Sequence, residues 1–324
     1  MRYATLSLVA ATALLAACGG EPQAEPEGEM PEAGTEASAP MPDLPDTIVA
    51  ERGGIVPEGI EYDPVQGRLL SGSLAEGSVL RWHPDGTLEE VVTDPDLVSS
   101  VGIQVDTAGG RLLVTNSDQA AFQGGQGQAM LGAYDLDTGE RQAMVDLAAL
   151  DTEAGSDASF FANDVAVGSD GAAYVTETMQ NVLYRVDPEY EASVFHRFEP
   201  QEGLGLNGIV HHPDGYLLVA GGETLFKVPL DDPSGLTEVE LPEEITGQDG
   251  MVWGPDGRLV IVSNNQNRAV ALESADDWAT AQLAGVASSD IQITTAAVVG
   301  DEVYAVNPHF ADEEPPSVFR VEFQ

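Results

Sequence analysis

Four oxygen-bearing residues begin four similar segments of the chain. The segments are Glu58-Gly59-Ile, Asn163-Asp164-Val, Asn207-Gly208-Ile and Asp249-Gly250-Met. Together they supply two carboxylates and two amide oxygens, a set of hard ligands whose negative charge balances one divalent cation. Calcium accepts several oxygen ligands in flexible geometry, so the pattern favours a calcium site, with another divalent cation as the alternative.

A simpler explanation of these residues is that Asn-Gly and Asp-Gly are common turn dipeptides. Three of the segments, however, have a separate turn signal seven residues further along, at Asp170-Gly171, Asp214-Gly215 and Asp256-Gly257. The first polar residues are therefore not needed to turn the chain, and we interpret them as ligands.

The later turns define the elements that carry the ligands. The turn sequences GSDG, HPDG and GPDG stand before the apolar runs AAYVTET, YLLVAGG and RLVIVSN. Asp-Gly supplies the positive φ that a tight hairpin turn needs, so each stretch is typical of strand, turn and strand. No segment has a convincing helical period, and the pattern predicts an all-β domain.

The hairpins recur along the chain at a regular interval. Aligned on their turns, the first strands begin near Glu58, Gly102, Asn163, Asn207, Asp249 and Thr295, which are 42 to 46 residues apart except for one interval of 61. Six repeats of four strands predict a six-bladed β-propeller over residues 46–324, in which equivalent positions converge on one axis. Pairing of Thr47–Glu51 with the last repeat would close the ring.

The charge balance excludes several classes of partner. The chain has 55 acidic and 12 basic residues and a net charge of −43. Binding to phosphate backbones or to anionic lipid depends on Lys and Arg, so we expect no nucleic-acid partner and no adsorption to membranes through the protein surface. Cys18 is the only cysteine, which excludes an intrachain disulfide. We expect a monomer.

The N-terminus has the features of a bacterial lipoprotein signal. Residues 1–17 are an apolar, Ala- and Leu-rich run. The sequence Leu15-Ala16-Ala17-Cys18 at its end resembles a lipobox, with Cys18 as the lipidated residue. An ordinary secretory signal or a membrane anchor is the alternative. Residues 18–45 are rich in Pro, Glu and Ala and predict a disordered acidic tether. The expected location is the cell envelope, on the periplasmic side of the outer membrane, with the lipid as the only membrane contact.

Five stretches of the sequence together resemble one family of enzymes. They are PEGIEYDP (57–64), FANDVAVGSDG (161–171), LNGIVHHPDG (206–215), QDGMVWGPDGRLVIVSNN (248–265) and ITTAAVVG (293–300). This set is similar to the gluconolactonase and regucalcin (senescence marker protein) family, which is related to paraoxonase. The resemblance implies a calcium ion held by Glu58, Asn163, Asn207 and Asp249, with Asp249 also as general base or nucleophile.

The same resemblance leads to a prediction of the substrate pocket. Phe161 stands where sugar-lactone hydrolases of the family often have an arginine, which argues against a polyol substrate and for a more apolar pocket. Thr295 and His309 complete the predicted pocket.

Two functions follow from the sequence. The first is a calcium-dependent hydrolase of a lactone or related ester, in which the metal polarises the carbonyl group. The second is a non-catalytic propeller on the cell envelope that binds a small ligand or a protein partner and uses calcium structurally.

Overall fold

The computed structural model describes residues 41–200, 203–310 and 314–324. All of the described residues belong to one compact unit. The predicted signal segment 1–17, Cys18 and most of the predicted tether 18–45 lie outside the described residues. In the part that is described, no helix has the length and apolar character needed to cross a bilayer.

The described residues form 24 strands and four short 3-10 helices, which confirms the expected all-β, propeller-like fold. The strands of the first half are β1 Thr47–Val49, β2 Ile60–Asp63, β3 Arg68–Ser71, β4 Ser78–Trp82, β5 Leu88–Thr93, β6 Ser99–Asp106, β7 Arg111–Ser117, β8 Gly127–Asp135, β9 Arg141–Asp146, β10 Phe160–Val167, β11 Ala173–Glu177, β12 Val182–Val186 and β13 Ala192–Arg197.

The strands of the second half are β14 Leu206–His212, β15 Tyr216–Gly221, β16 Thr224–Pro229, β17 Thr237–Glu238, β18 Gln248–Trp253, β19 Leu259–Ser263, β20 Arg268–Glu273, β21 Gln282–Ser288, β22 Ala296–Val299, β23 Glu302–Asn307 and β24 Ser317–Val321. The 3-10 helices are Gln119–Gln123, Ala148–Leu150, Pro233–Gly235 and Asn264–Gln266. The glycines of the three Asp-Gly turns, Gly171, Gly215 and Gly257, all have positive φ, as the turn sequences predict.

Hydrogen bonding gives four antiparallel sheets of four strands each among the described residues. They are β2–β5, β14–β17, β18–β21 and the sheet β1-β24-β23-β22. In the last of these, Ile48 of β1 pairs with Val318 of β24, so the start of the domain completes the sheet formed by its end. The expected pairing of the Thr47–Glu51 segment with the last repeat is confirmed over Thr47–Val49.

The fifth sheet differs from the expectation of separate four-stranded blades. It has eight strands, because β6–β9 and β10–β13 are joined where Phe160 and Phe161 of β10 run parallel to Gly127 and Gln128 of β8. The long second repeat explains the joint, since its extended hairpin strand β8 reaches the beginning of β10. The six four-stranded blades predicted from the sequence are therefore found as four separate four-stranded sheets and one sheet of eight strands.

The first strand of each group of four lies next to the first strand of the following group. The contacts run from β2 to β6, β10, β14, β18 and β22, and β22 returns to β2. This closed ring brings the beginnings of all six strands together, which is what positions the candidate site.

Four of these first strands carry a β-bulge at the same place. Two residues have no ladder partner in each, namely Val101-Gly102, Asn163-Asp164, Asn207-Gly208 and Asp249-Gly250. The matching positions Glu58-Gly59 and Thr294-Thr295 come directly before β2 and β22. A bulge releases side chains from the regular pleat and re-aims them. We call these six dipeptides the axial pairs.

The core lies between neighbouring sheets and leaves the ring free for polar residues. Leu218 and Leu225 of one sheet, for example, pack with Ile261 and Val270 of the next. Trp82 and Trp278 are buried in such clusters, as expected for packing residues.

Candidate metal centre and substrate cavity

The first members of the axial pairs meet in one cavity of about 560 Å³. Five of the six line it, namely Glu58, Val101, Asn163, Asn207 and Asp249. We call this space the large cavity. The structure thus brings together all four residues that the sequence predicts as metal ligands.

Three of the second members of the pairs line a different space. A cavity of about 240 Å³, which we call the small cavity, is lined by Gly59, Asp164 and Thr295 among others. Successive residues of an extended chain point to opposite sides, so the two members of a pair face different cavities. The placement of Thr295 in the substrate pocket is therefore wrong, because it is the second member of its pair.

The two other predicted pocket residues have different outcomes. Phe161 is buried and lines the large cavity. His309 is not one of the described residues that line it, whereas the next residue, Phe310, is. Phe161 therefore gives the cavity the apolar character that was predicted for the pocket. His309 was predicted for the pocket as well, but its neighbour Phe310 is the residue that lines the cavity.

Threonine hydroxyls hold the backbone of three ligand residues. Thr115 donates to the carbonyl oxygen of Asn163 at 2.7 Å, and Thr176 donates to that of Asn207 at 2.6 Å. Thr294 donates to the carbonyl oxygen of Glu58 at 3.2 Å. Each bond runs from one repeat to the next, so the ligands are positioned by contacts between repeats.

Side-chain hydrogen bonds orient the two amides and leave their oxygens available. Nδ2 of Asn163 donates to Oγ1 of Thr178 at 3.0 Å, which leaves Oδ1 of Asn163 for another partner. The Asn207 amide donates to the carboxylate of Asp249. Because Asn and Gln amides donate only through nitrogen, both bonds engage the nitrogen and leave the amide oxygen as the atom that could bind a cation.

Two further amides, which were not predicted from the sequence, form a chain of hydrogen bonds that ends on the carboxylate of Asp249. Nδ2 of Asn264 donates to Oδ2 of Asp249 at 2.9 Å, and the Gln292 amide donates to Oδ1 of Asn264. Asn264 belongs to the SNN sequence at the end of β19. That Asn-rich end of a strand, in a stretch already typical of the family, is the signal that could have identified it.

Burial and the charges of neighbouring carboxylates raise the pKa values of Asp249 and Glu58. Burial raises the pKa of Asp249 to about 7, in spite of the hydrogen bonds from Asn264 and Asn207, and the charge of Asp164 adds to the rise. Burial, followed by the charges of Asp249 and Asp164, holds the pKa of Glu58 well above its usual value. Two carboxylates in this state are stabilised by a nearby positive charge.

The donor set therefore fits a divalent cation. No Arg, Lys or His occurs among the described residues that line the large cavity, so no side chain there balances Glu58 and Asp249. The described residues also contain no cluster of three or more His, Cys, Asp or Glu side chains suited to a metal. The set proposed from the sequence is of another kind, because half of its ligands are amides.

Comparison with known proteins identifies the family. The family model described as "SMP-30/Gluconolactonase/LRE-like region" matches residues 56–258, more than half of the chain and the range that carries all four predicted ligands. The chain belongs to this family. A sequence search of curated proteins found no match.

Several solved structures share the fold of this chain. The allergen Mala s 1 of Malassezia sympodialis has a TM-score of 0.74 at 17% identity, over 86% of this chain and 96% of its own. Regucalcin of Agrobacterium tumefaciens, a calcium-binding protein, has a TM-score of 0.60 at 16% identity, over 87% and 96%. A luciferin-regenerating enzyme has a TM-score of 0.60 at 13% identity, over 85% and 94%. At such identities the likeness shows the fold alone.

Proposed function

We propose that this protein is a calcium-dependent hydrolase of a lactone or related ester. The observation that carries the proposal is the convergence of Glu58, Asn163, Asn207 and Asp249 on one cavity, whose other wall is apolar. Membership of a family named for gluconolactonase supports the reaction class, and the calcium-binding neighbour regucalcin supports the choice of metal.

In this proposal the metal is held by those four residues. When bound, calcium acts as a Lewis acid toward a carbonyl oxygen. The two carboxylates supply the negative charge, and the two amides complete the oxygen set without adding to the repulsion. The threonine contacts between repeats hold the backbones of Glu58, Asn163 and Asn207 in place before any ligand binds.

Asp249 is the residue that we propose for the chemistry. Its carboxylate either takes a proton from water or attacks the ester carbonyl directly. Asn264 and Asn207 orient the carboxylate by hydrogen bonds. Phe161 and the apolar residues near it exclude bulk water from the reacting group, which strengthens the electrostatic interactions there.

We further propose that the ring is a six-bladed propeller. The eight-stranded sheet contains two antiparallel groups, β6–β9 and β10–β13, joined only by the short parallel contact at Phe160 and Phe161. Counted as two blades, these groups and the four separate sheets give six, in agreement with the six axial pairs.

A second candidate is a propeller that binds a ligand without catalysis. Two amides donate to the Asp249 carboxylate and occupy acceptor sites that a general base would use to take a proton. A structural calcium ion and a small-molecule ligand in the large cavity would then account for the site.

A panel of lactones and aryl esters separates the two functions. Hydrolysis that disappears on chelation and returns with calcium favours the enzyme. A protein that keeps its fold and contains calcium by elemental analysis, but leaves the whole panel intact, favours the binding propeller. If chelation changes neither the activity nor the melting temperature, the metal site is absent.

For the location we propose lipid attachment at Cys18 and a place at the cell envelope, on the periplasmic side of the outer membrane. The support is the sequence Leu15-Ala16-Ala17-Cys18 with the acidic tether after it. The protein surface, with its net charge of −43, offers no attraction to anionic lipid.

A further inference from the structure

Three large apolar side chains that line the large cavity are also open to solvent. They are Phe122, Leu204 and Phe310, which are 45 to 50% exposed. They make up three of the nine large apolar side chains that are exposed among the described residues. Single exposed apolar residues are common on protein surfaces, whereas several around one cavity mark a binding site. The large cavity therefore suits a ligand with an apolar part.

The apolar side of the cavity rests on a hydrophobic cluster of its own. Leu74, Val101, Ala121 and Phe161 are buried against one another, apart from the clusters between neighbouring sheets. All of them except Ala121 line the large cavity. They come from three successive repeats, so the cluster covers one continuous side of the ring.

Phe122 packs on this cluster and is carried by the 3-10 helix Gln119–Gln123. Its ring meets the ring of Phe161 edge to face, with centroids 4.8 Å apart. The helix is fixed at its start, because Oδ1 of Asp118 accepts the backbone N–H of Ala120 at 2.8 Å. Phe122 is thus a held, half-exposed apolar surface beside the proposed metal centre.

The other side of the cavity is polar. Asn264, Asn265 and Gln292 line it and belong to the fifth repeat, as does Asp249. In the closed ring of six first strands, the fifth strand lies across from the second, and Phe122 belongs to the second repeat. A bound lactone therefore meets the carboxylate and the amides on one side and an apolar surface on the other.

The charges of the cavity disfavour an anionic substituent. Glu58, Asp249 and Glu223 line it, and no basic side chain does so among the described residues. One divalent cation balances two of these carboxylates and leaves a net negative charge. A carboxylate on the substituent would lose its hydration at the apolar side and gain no ion pair with a side chain.

We propose that Phe122 determines the specificity of the large cavity for an uncharged lactone or ester with an alkyl substituent of several carbons. The alkyl chain contacts Phe122 and the cluster beneath it, while the ester group lies at the proposed metal centre. Phe122 selects the substrate and takes no part in making or breaking bonds. This inference rests on the proposed function, since it specifies the substrate of the same site.

A series of γ-lactones whose side chain grows from methyl to pentyl tests the proposal in the full chain with calcium present. Burial of one methylene group is worth roughly three- to fourfold in affinity. We therefore expect kcat/KM for the pentyl lactone to exceed that for the methyl lactone by about tenfold or more. A chain of the same length that ends in a hydroxyl or a carboxylate should lose most of this gain.

Phe122→Ser should lower the ratio of kcat/KM between the pentyl and methyl lactones by about fivefold or more. The ratio compares two substrates of one variant, so a loss of stability alone does not change it. Phe122→Leu keeps an apolar side chain and should keep most of the ratio. Leu283→Ser is the matched control, because Leu283 on β21 is 43% exposed and is not one of the described residues that line the cavity. It should keep the full ratio.

Binding of 3-alkylcyclopentanones, in which a methylene group replaces the ring oxygen, separates this inference from the proposed function. If no lactone is hydrolysed but calorimetry shows affinity that rises with chain length and no longer does so in Phe122→Ser, the selectivity stands and the hydrolase is wrong. If lactones are hydrolysed at rates independent of chain length, the hydrolase stands and the inference is overturned. It is also overturned if Phe122→Ser keeps the full preference, or if no lactone reacts and no ketone binds.

Discussion

At the scale of single residues, the proposed site separates residues that bind the metal from the one that performs the chemistry. Glu58, Asn163, Asn207 and Asp249 share the large cavity, but only Asp249 is placed to transfer a proton or attack. Asn163 is the clearest pure ligand, since its amide nitrogen is engaged with Thr178 and not with Asp249. This difference leads to a prediction about two variants.

Asp249→Asn should lower kcat by about 10²-fold or more, the usual effect of removing a general base, and should keep much of the calcium affinity. Asn163→Ala should act through weaker calcium binding, so excess calcium should restore part of its activity. The measurement is turnover of the best substrate of each variant across a calcium titration. Equal recovery of both variants at high calcium would show that Asp249 is only a ligand.

At the scale of elements, the site depends on how closely the first strands approach one another. Glycine is the second member of four axial pairs, Gly59, Gly102, Gly208 and Gly250. A Cβ atom at Gly208 would overlap the carbonyl oxygen of Asp249, and one at Gly250 would overlap the side chain of Thr295. These glycines are therefore needed for close packing between repeats rather than for turns.

Gly208→Ala should reduce the free energy of unfolding by roughly 1–3 kcal/mol, because the added methyl group forces β14 away from β18. It should also weaken calcium binding, since Asp249 moves. Gly155→Ala is the control, because a Cβ atom there meets nothing within 4 Å, and it should change stability by less than about 0.5 kcal/mol. Urea denaturation with and without calcium measures both effects. Equal stability of the two variants would contradict the packing role.

At the scale of the whole molecule, buried carboxyl groups make stability depend on pH. Burial raises the pKa of Glu61 to about 8 and that of Glu177 to about 7. A group whose pKa is higher in the folded state than in the unfolded state stabilises the fold below the unfolded pKa, and this contribution is lost as pH rises through the folded pKa. Stability should therefore decrease from pH 5 to pH 8.

In chelator, the melting temperature should be higher at pH 5 than at pH 8 by about 3 °C or more, which corresponds to roughly 1 kcal/mol in a domain of this size. Glu61→Gln removes one of the responsible groups and should make the difference smaller. Glu140→Gln, at an exposed position, should leave it unchanged. A melting temperature that rises from pH 5 to pH 8 in chelator would disprove this explanation.

The N-terminal segment leads to a prediction about the location of the whole protein. Cys18→Ser should abolish incorporation of labelled lipid and leave an unprocessed precursor or a soluble form. The folded domain should keep its melting temperature, because the predicted tether separates Cys18 from the first strand, which begins at Thr47. Lipid labelling that persists in Cys18→Ser would exclude lipid attachment at this residue.

The features that could be predicted from the sequence are those that local chemistry determines. The Asp-Gly turns require positive φ at Gly171, Gly215 and Gly257, and their spacing indicates the repeated hairpins. Three of the four proposed ligands, Asn163, Asn207 and Asp249, could be recognised because they stand seven residues before such turns. Turn chemistry and strand alternation act over a few residues, so they can be recognised without knowing the fold.

The tertiary structure alone decided which side chains share a cavity. Thr295 was assigned to the wrong side because a one-residue shift along an extended strand moves a side chain to the opposite face. Asn264, which donates to Asp249, is 15 residues from it in sequence, and Gln292, which donates to Asn264, is 28 residues further along. The position of Phe122 beside the cavity and the joint between β8 and β10 likewise depend on distant contacts. Such contacts follow from closing the ring, a property of the whole chain that no local pattern contains.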